Sequence, residues 1–144
     1  MPSSPTLAEL APGICAAGAL DRAAIEALAD QGVRTIINNR PDGEDFGQLS
    51  AAEAARIAAA HGIAYHHIPI TMASLSPADV EAFAAAMAGA EQPIVAHCRS
   101  GTRSALLWAL ARLREGDDPA VLIAAAARGG IDIAALPAIA ARLR

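Results

Sequence analysis

The stretch Ile94-Val95-Ala96-His97-Cys98-Arg99-Ser100-Gly101-Thr102-Arg103-Ser104 decides how this chain is read. An apolar run of strand length delivers a cysteine into a short turn containing glycine. A helical pattern then runs from Thr102 to about Arg114, where Gly116 closes it. The first amides of such a helix have no acceptor inside it, and they face the turn together with the positive end of the helix dipole. An anion held there gains from both. Gly101 lets the turn adopt backbone angles that other residues resist. Arg103 offers a planar fork of donors suited to an oxyanion. A field of this kind favours a thiolate, so Cys98 is the expected nucleophile. Arg99 adds a second positive charge at the mouth, and Ser100 and Thr102 complete the anion-binding turn. Ser104 can donate a hydrogen bond to the sulfur, and His97 can bond backbone around the loop. A buried structural cysteine beside a surface arginine pair is the plainer alternative, but it leaves the order of these parts unexplained.

Outward from this loop, apolar runs alternate with helical patterns. Strands are expected at Gly13 to Ala17, Val33 to Asn38, Ile63 to Ile70 and Pro93 to His97. Asp21 caps a helix to about Asp30 that stops at Gly32. Ser50 and Glu53 form a capping box for a helix ending near Gly62. Ser76, Pro77 and Asp79 start another that ends near Gly89. Asp118 and Pro119 open a helix through Ala127, and the tail after Gly130 has a helical pattern whose boundary Pro137 leaves open. Strands separated by helices predict one α/β domain over residues 1–144, with a mostly parallel central sheet flanked by helices. Ligands of such sheets sit beyond the carboxyl ends of the strands, where the Cys98 loop falls.

Composition narrows the partners. Hydrophobic residues make up 54% of the chain, enough for a core, but much of this is alanine. With one Trp, one Tyr and two Phe there is little for bases to stack on, and a net charge of −4 disfavours general nucleic-acid binding. The start, MPSSPTLAEL, has neither the basic nor the apolar region of a leader, and charges interrupt every apolar run before it could span a bilayer. Cys15 and Cys98 far apart, with no leader, fit a reduced cytoplasmic protein without a structural disulfide. The four histidines match no common metal-ligand spacing, so neither a metal nor another cofactor is expected.

The segments Ile37-Asn38-Asn39-Arg40-Pro41-Asp42-Gly43-Glu44, Ile68-Pro69-Ile70 and His97 to Ser104 together resemble a bacterial family within the Cys-dependent phosphatase superfamily. That family is described as phosphatase-like or as a sulfur transferase, and is related to the N-terminal domain of beta-lactamase hydrolase-like proteins. The likeness runs from about Leu10 to Ala126 and implies the dual-specificity-phosphatase fold.

Two departures from the phosphatase pattern bear on the reaction. Phosphatase loops have five residues between Cys and Arg. Here there are four, Arg99 to Thr102, the spacing of rhodanese-type sulfur transferases on a different fold. Phosphatases of this fold also carry an acid after the strand that here ends Ile68-Pro69-Ile70, whereas Thr71 to Ser76 contains none. An alkoxide leaving group needs that proton, a contribution of about 10²–10⁴ in rate; sulfite leaving thiosulfate does not. The expected function is sulfane-sulfur transfer through a Cys98 persulfide, from thiosulfate or a small persulfide to a thiol such as glutathione. A phosphatase with a phosphocysteine at Cys98, and a non-catalytic anion-binding module, are the alternatives. Asp42, Glu44 or Asp45 could reach the site from the polar loop. Arg40 either anchors substrate or braces the Cys98 loop; alternatively, Arg40 and Asp42 form only a local salt-bridged turn.

Overall fold

The computed structural model describes residues 5–144; residues 1–4, part of the segment expected to lack a leader pattern, lie outside it. Among the described residues, five strands form one sheet: β1 (Leu7–Ala11), β2 (Ile14–Ala17), β3 (Thr35–Asn38), β4 (Ala64–His67) and β5 (Ile94–His97). Their spatial order is β1-β2-β5-β3-β4, and all pairings are parallel except β1 with β2. Six helices accompany them: α1 (Arg22–Asp30), α2 (Ala51–Ala60), α3 (Pro77–Ala88), α4 (Thr102–Arg114), α5 (Pro119–Arg128) and α6 (Leu136–Arg142).

The alternation of strand side chains explains the layers. On β3 and β5, Ile36 and Val95 face a cluster built with Ile25 and Leu28 of α1 and Ile57 of α2. Their neighbours Ile37, Ile94 and Ala96 face the opposite cluster, with Phe83 of α3, Leu107 and Trp108 of α4, and Leu122 of α5. Both faces of the central strands are therefore covered, which is why these runs are continuously apolar. Helix α4 lies deep: every residue from Ser104 to Ala111 is buried. Removing a side chain such as Leu107 there should cost about 2–5 kcal/mol.

The helix starts follow the expected caps, except that the Ser50–Glu53 box is half formed: Glu53 Oε1 accepts from the Ser50 hydroxyl at 3.4 Å instead of from its amide. Asp21 Oδ1 accepts from Ala24 N at 2.8 Å, Ser50 Oγ from Glu53 N at 3.2 Å, and Asp118 Oδ1 from Ala120 N at 2.9 Å. Three features differ from the sequence reading. The tail expected to be helical after Gly130 becomes a helix only at Leu136–Arg142, with Pro137 in its first turn. An additional strand, β1, pairs antiparallel on the sheet edge, with Ala8 and Leu10 turned inward. The strand expected over Ile63 to Ile70 is ordered as a strand only at Ala64–His67; beyond it the chain continues through single bonds, Ile68 N to Asn38 O and Ile70 N to Asn39 O. The register sets Ala17, His97, Asn38 and His67 side by side, so the segments after four strands leave the sheet at one level.

Candidate active site

Cys98 leaves β5 at the centre of that level. Its amide donates to Ala17 O at 3.3 Å, and it is fully buried. The turn brings the amide of Gly101 back to the sulfur, with N to Sγ at 3.0 Å. Gly101 makes this return possible at φ +94, and a Cβ there would lie 3.2 Å from Ile131 Cδ1. Ser100 Oγ and Thr102 Oγ1 are 3.3 Å apart and bonded to each other at the exposed rim. Gly101 to Thr102 is also the start of α4, so the helix N-terminus and the cysteine turn are one structure.

Arg103 is held from two sides. Its Nη1 donates to Ile70 O and to Glu44 Oε2, and its Nη2 to Glu44 Oε1, each at 2.8 Å. Cys98 lies close enough to act on the same guanidinium, and Glu44 foremost, with Cys98 as a lesser contributor, raises the pKa of Arg103 further above its ordinary value. Glu44 also accepts from Arg40 Nε at 3.1 Å. The Arg103 hydrogen bond foremost, then that of Arg40, holds the Glu44 carboxyl below the ordinary carboxylate range, against the effect of burial. Asp45 Oδ2 bridges Arg40 Nη2 and Arg99 Nε. Three guanidiniums thus meet two carboxylates beside the cysteine.

The remaining expected residues fall as follows. Arg40 is buried and braces the polar loop, pairing with Glu44 and Asp45 rather than with Asp42. Asp42 is directed away from the cysteine turn: its Oδ1 accepts from Ala51 N at 2.9 Å, at the start of α2. Ser104 is buried, and its hydroxyl donates to Asn39 Oδ1 at 2.7 Å, not to the sulfur as expected. Asn39 in turn donates to Ile68 O at 3.0 Å, tying α4 to the segments after β3 and β4. His97 is buried with Nδ1 unpartnered, and burial pushes its pKa down to about 4, so the ring is neutral. Asp79 accepts from Ser76 N at 2.9 Å and from its hydroxyl at 3.1 Å, which fixes it as a capping carboxylate. Glu44 is the residue whose part the sequence did not specify. Two acids facing an arginine-rich turn are a signal, but their pairing spans 59 residues and depends on the fold. Among the described residues, no group of three His, Cys, Asp or Glu side chains is arranged to hold a metal ion.

This fold and this loop define a Cys-dependent phosphatase-like domain. Residues 6–115 match the phosphatase-like domain of beta-lactamase hydrolase-like proteins, and the chain belongs to that family. The beta-lactamase hydrolase-like proteins of Agrobacterium fabrum and Xylella fastidiosa are 42% and 40% identical to it over 89 residues, 62% of this chain. The chain spans only 21% of the length of these curated relatives. A candidate phosphatase of Neisseria meningitidis Z2491 is 32% identical, with a TM-score of 0.85 over 96% of this chain and 98% of that one. The kinase-associated phosphatase, at 18% identity and a TM-score of 0.70 over 99% of this chain and 93% of its own, shares the fold. These comparisons favour the phosphatase class; none of them names a sulfur transferase. No helix among the described residues is long and apolar enough to cross a membrane.

Proposed function

We propose that the domain transfers sulfane sulfur through Cys98. The observation that carries this reading is the four-residue turn, closed tightly enough for the Gly101 amide to bond the sulfur at 3.0 Å. A persulfide adds one atom to that cradle, whereas a phosphoryl group needs donors around three oxygens. In the forward step the Cys98 thiolate attacks the outer sulfur of thiosulfate. The S–S bond of the donor breaks, and sulfite leaves with the electron pair. The product is a Cys98 persulfide anion, balanced by the loop amide, the helix end and Arg103. An acceptor thiolate, such as that of glutathione, then attacks the terminal sulfur, and Cys98 departs as thiolate. No proton is needed at either leaving group, which suits a site whose nearby carboxylates are engaged elsewhere. A reducing, cytoplasmic setting fits this chemistry.

Phosphatase action is the second reading. The class of the relatives favours it, as do the two carboxylates of Glu44 and Asp45 beside the turn. Against it, a carboxyl held ionised by two arginines, as Glu44 is, makes a poor proton donor. One preparation assayed both ways decides. Thiosulfate should add one sulfur to Cys98, seen as a thiol-reversible mass increase, and glutathione should accept it. Rapid hydrolysis of phosphoserine peptides with no persulfide from any donor would falsify sulfur transfer and establish the phosphatase.

A further inference from the structure

Arg99 is the site's most accessible guanidinium. Its side chain is 64% exposed, against 14% for Arg103 and 8% for Arg40. It is nevertheless occupied: its Nε donates to Asp45 Oδ2 at 3.1 Å. Asp45 differs from its neighbour Glu44 in the exposure of its second partner. Glu44 sits between two largely buried arginines, whereas Asp45, bonded to buried Arg40 at 2.5 Å, is 43% exposed and shares the same Oδ2 with Arg99 in solvent. An ion pair this exposed is weak and screened by salt, so another anion can exchange with it. The backbone beneath Asp45 is tied down. Gln48 Oε1 accepts from Asp45 N at 3.2 Å, while Gln48 Nε2 donates to Pro41 O at 2.9 Å. The carboxylate itself is anchored on buried Arg40, so the part that exchanges is its pair with Arg99. Cys98 has no exposed surface, so side chains at the mouth must move before any substrate reaches the sulfur.

We propose that Asp45 is a built-in competitor for Arg99. Its carboxylate occupies the arginine that an incoming anionic substrate must take, and so sets the charge preference and the KM of the site. The proposal rests on Cys98 and Arg99 receiving the substrate anion, as in the function proposed above, but not on which anion reacts.

The test is the alkylation of Cys98 by iodoacetate, an anion, and by iodoacetamide, which is neutral, followed by peptide mass. Both reagents meet the same thiolate, so their rate ratio cancels changes in thiolate fraction. Asp45→Asn should raise the iodoacetate-to-iodoacetamide ratio roughly two- to fivefold, the range an exposed pair supports. Arg99→Ala should lower it, and the double variant should match Arg99→Ala. An equal rise from Asp45→Asn in both backgrounds would overturn the proposal, because the lost charge would then act through the general field alone. An unchanged or lower ratio in Asp45→Asn overturns it too. So does failure of either reagent to reach Cys98 in any variant, since Asp45 would then govern no entry. None of these measurements requires persulfide formation, so the proposal and the sulfur-transfer reading fail separately.

Discussion

Glu44 receives both terminal nitrogens of Arg103, each at 2.8 Å, across 59 residues of chain. The pair fixes the outer edge of the guanidinium and leaves the rest of it to face Cys98. Replacing the carboxylate by an amide keeps one acceptor but sets an NH2 group against the arginine. Glu44→Gln should therefore lower kcat roughly 10- to 100-fold through misplacement of Arg103, with the fold retained. Steady-state rates checked against a far-ultraviolet spectrum test this; wild-type kcat would remove Glu44 from the positioning of Arg103.

The same pair carries a pH signature. Arg103, and secondarily Arg40, depress the folded-state pKa of Glu44. The stability it contributes is complete above the unfolded value, about pH 4.3, and is lost as pH falls through the lower folded value. The difference in unfolding free energy between wild type and Glu44→Gln should therefore be flat near neutrality and shrink only below about pH 4. Urea titrations across that range measure it. A difference that instead changed between pH 6 and 8 would point to another group.

Arg103 itself is engaged through geometry as well as charge, with three hydrogen bonds to Glu44 and Ile70 O. A lysine cannot reproduce the fork. Arg103→Lys should lose roughly 100-fold in kcat/KM, comparable with removal of one transition-state donor. Cys98→Ser should remove activity altogether while leaving thermal unfolding little changed. Activity near wild type in either variant would shift the chemistry away from this loop.

How much of this was legible in the sequence follows from the range of the interactions. Helix caps and the cysteine turn are set within a few residues, and Asp21, Ser50, Asp118 and Gly101 adopt the parts their local patterns predict. Strand β1 is not legible in Leu7-Ala8-Glu9-Leu10-Ala11, which is short and rich in alanine; its strand character comes from pairing with β2. Nearness in sequence points Ser104 at the sulfur. The fold instead sets it against Asn39, 65 positions away. Cys15 illustrates the reverse case. It stands opposite Val95, three residues before Cys98, and a strand rise of about 3.3 Å per residue with a strand spacing of about 4.8 Å puts the two cysteines roughly 11 Å apart. A disulfide bridges Cα atoms only within about 7 Å, so the register argues against direct pairing.

The Ser104–Asn39 bond gives a stability prediction with an activity control. Ser104→Ala leaves a buried Asn39 oxygen without its donor, a loss of about 1–3 kcal/mol. For a chain of this length that lowers Tm by roughly 3–10 °C. Turnover at a temperature where the variant is folded should stay within a few-fold of wild type. A hundredfold loss of kcat without a change in Tm would restore Ser104 to the role of sulfur hydrogen-bond donor.

The missing acid can be supplied. Thr71 to Ser76 follows Ile70, whose carbonyl is bonded to Arg103, so this segment starts beside the site. Thr71 is a poor place to substitute, because its hydroxyl and amide are bonded to Ser74. Met72 and Ala73 are the two residues inside that turn. Met72 is 37% exposed, and the one hydrogen bond at this residue, from Arg142, uses its backbone carbonyl. Met72→Asp therefore adds a carboxyl with least disturbance. If the four-residue turn admits phosphate, wild type should hydrolyse aryl phosphates, whose leaving groups are stable anions, far better than alkyl ones. A proton donor helps most where the leaving group is worst, so Met72→Asp should raise alkyl-phosphate hydrolysis by about tenfold or more, and aryl hydrolysis less. Sulfur transfer from thiosulfate should be unchanged or slower, since sulfite needs no proton and a new negative charge opposes anion entry. If the substitution accelerated sulfur transfer and left both esters untouched, proton supply would not be what separates the two chemistries in this loop.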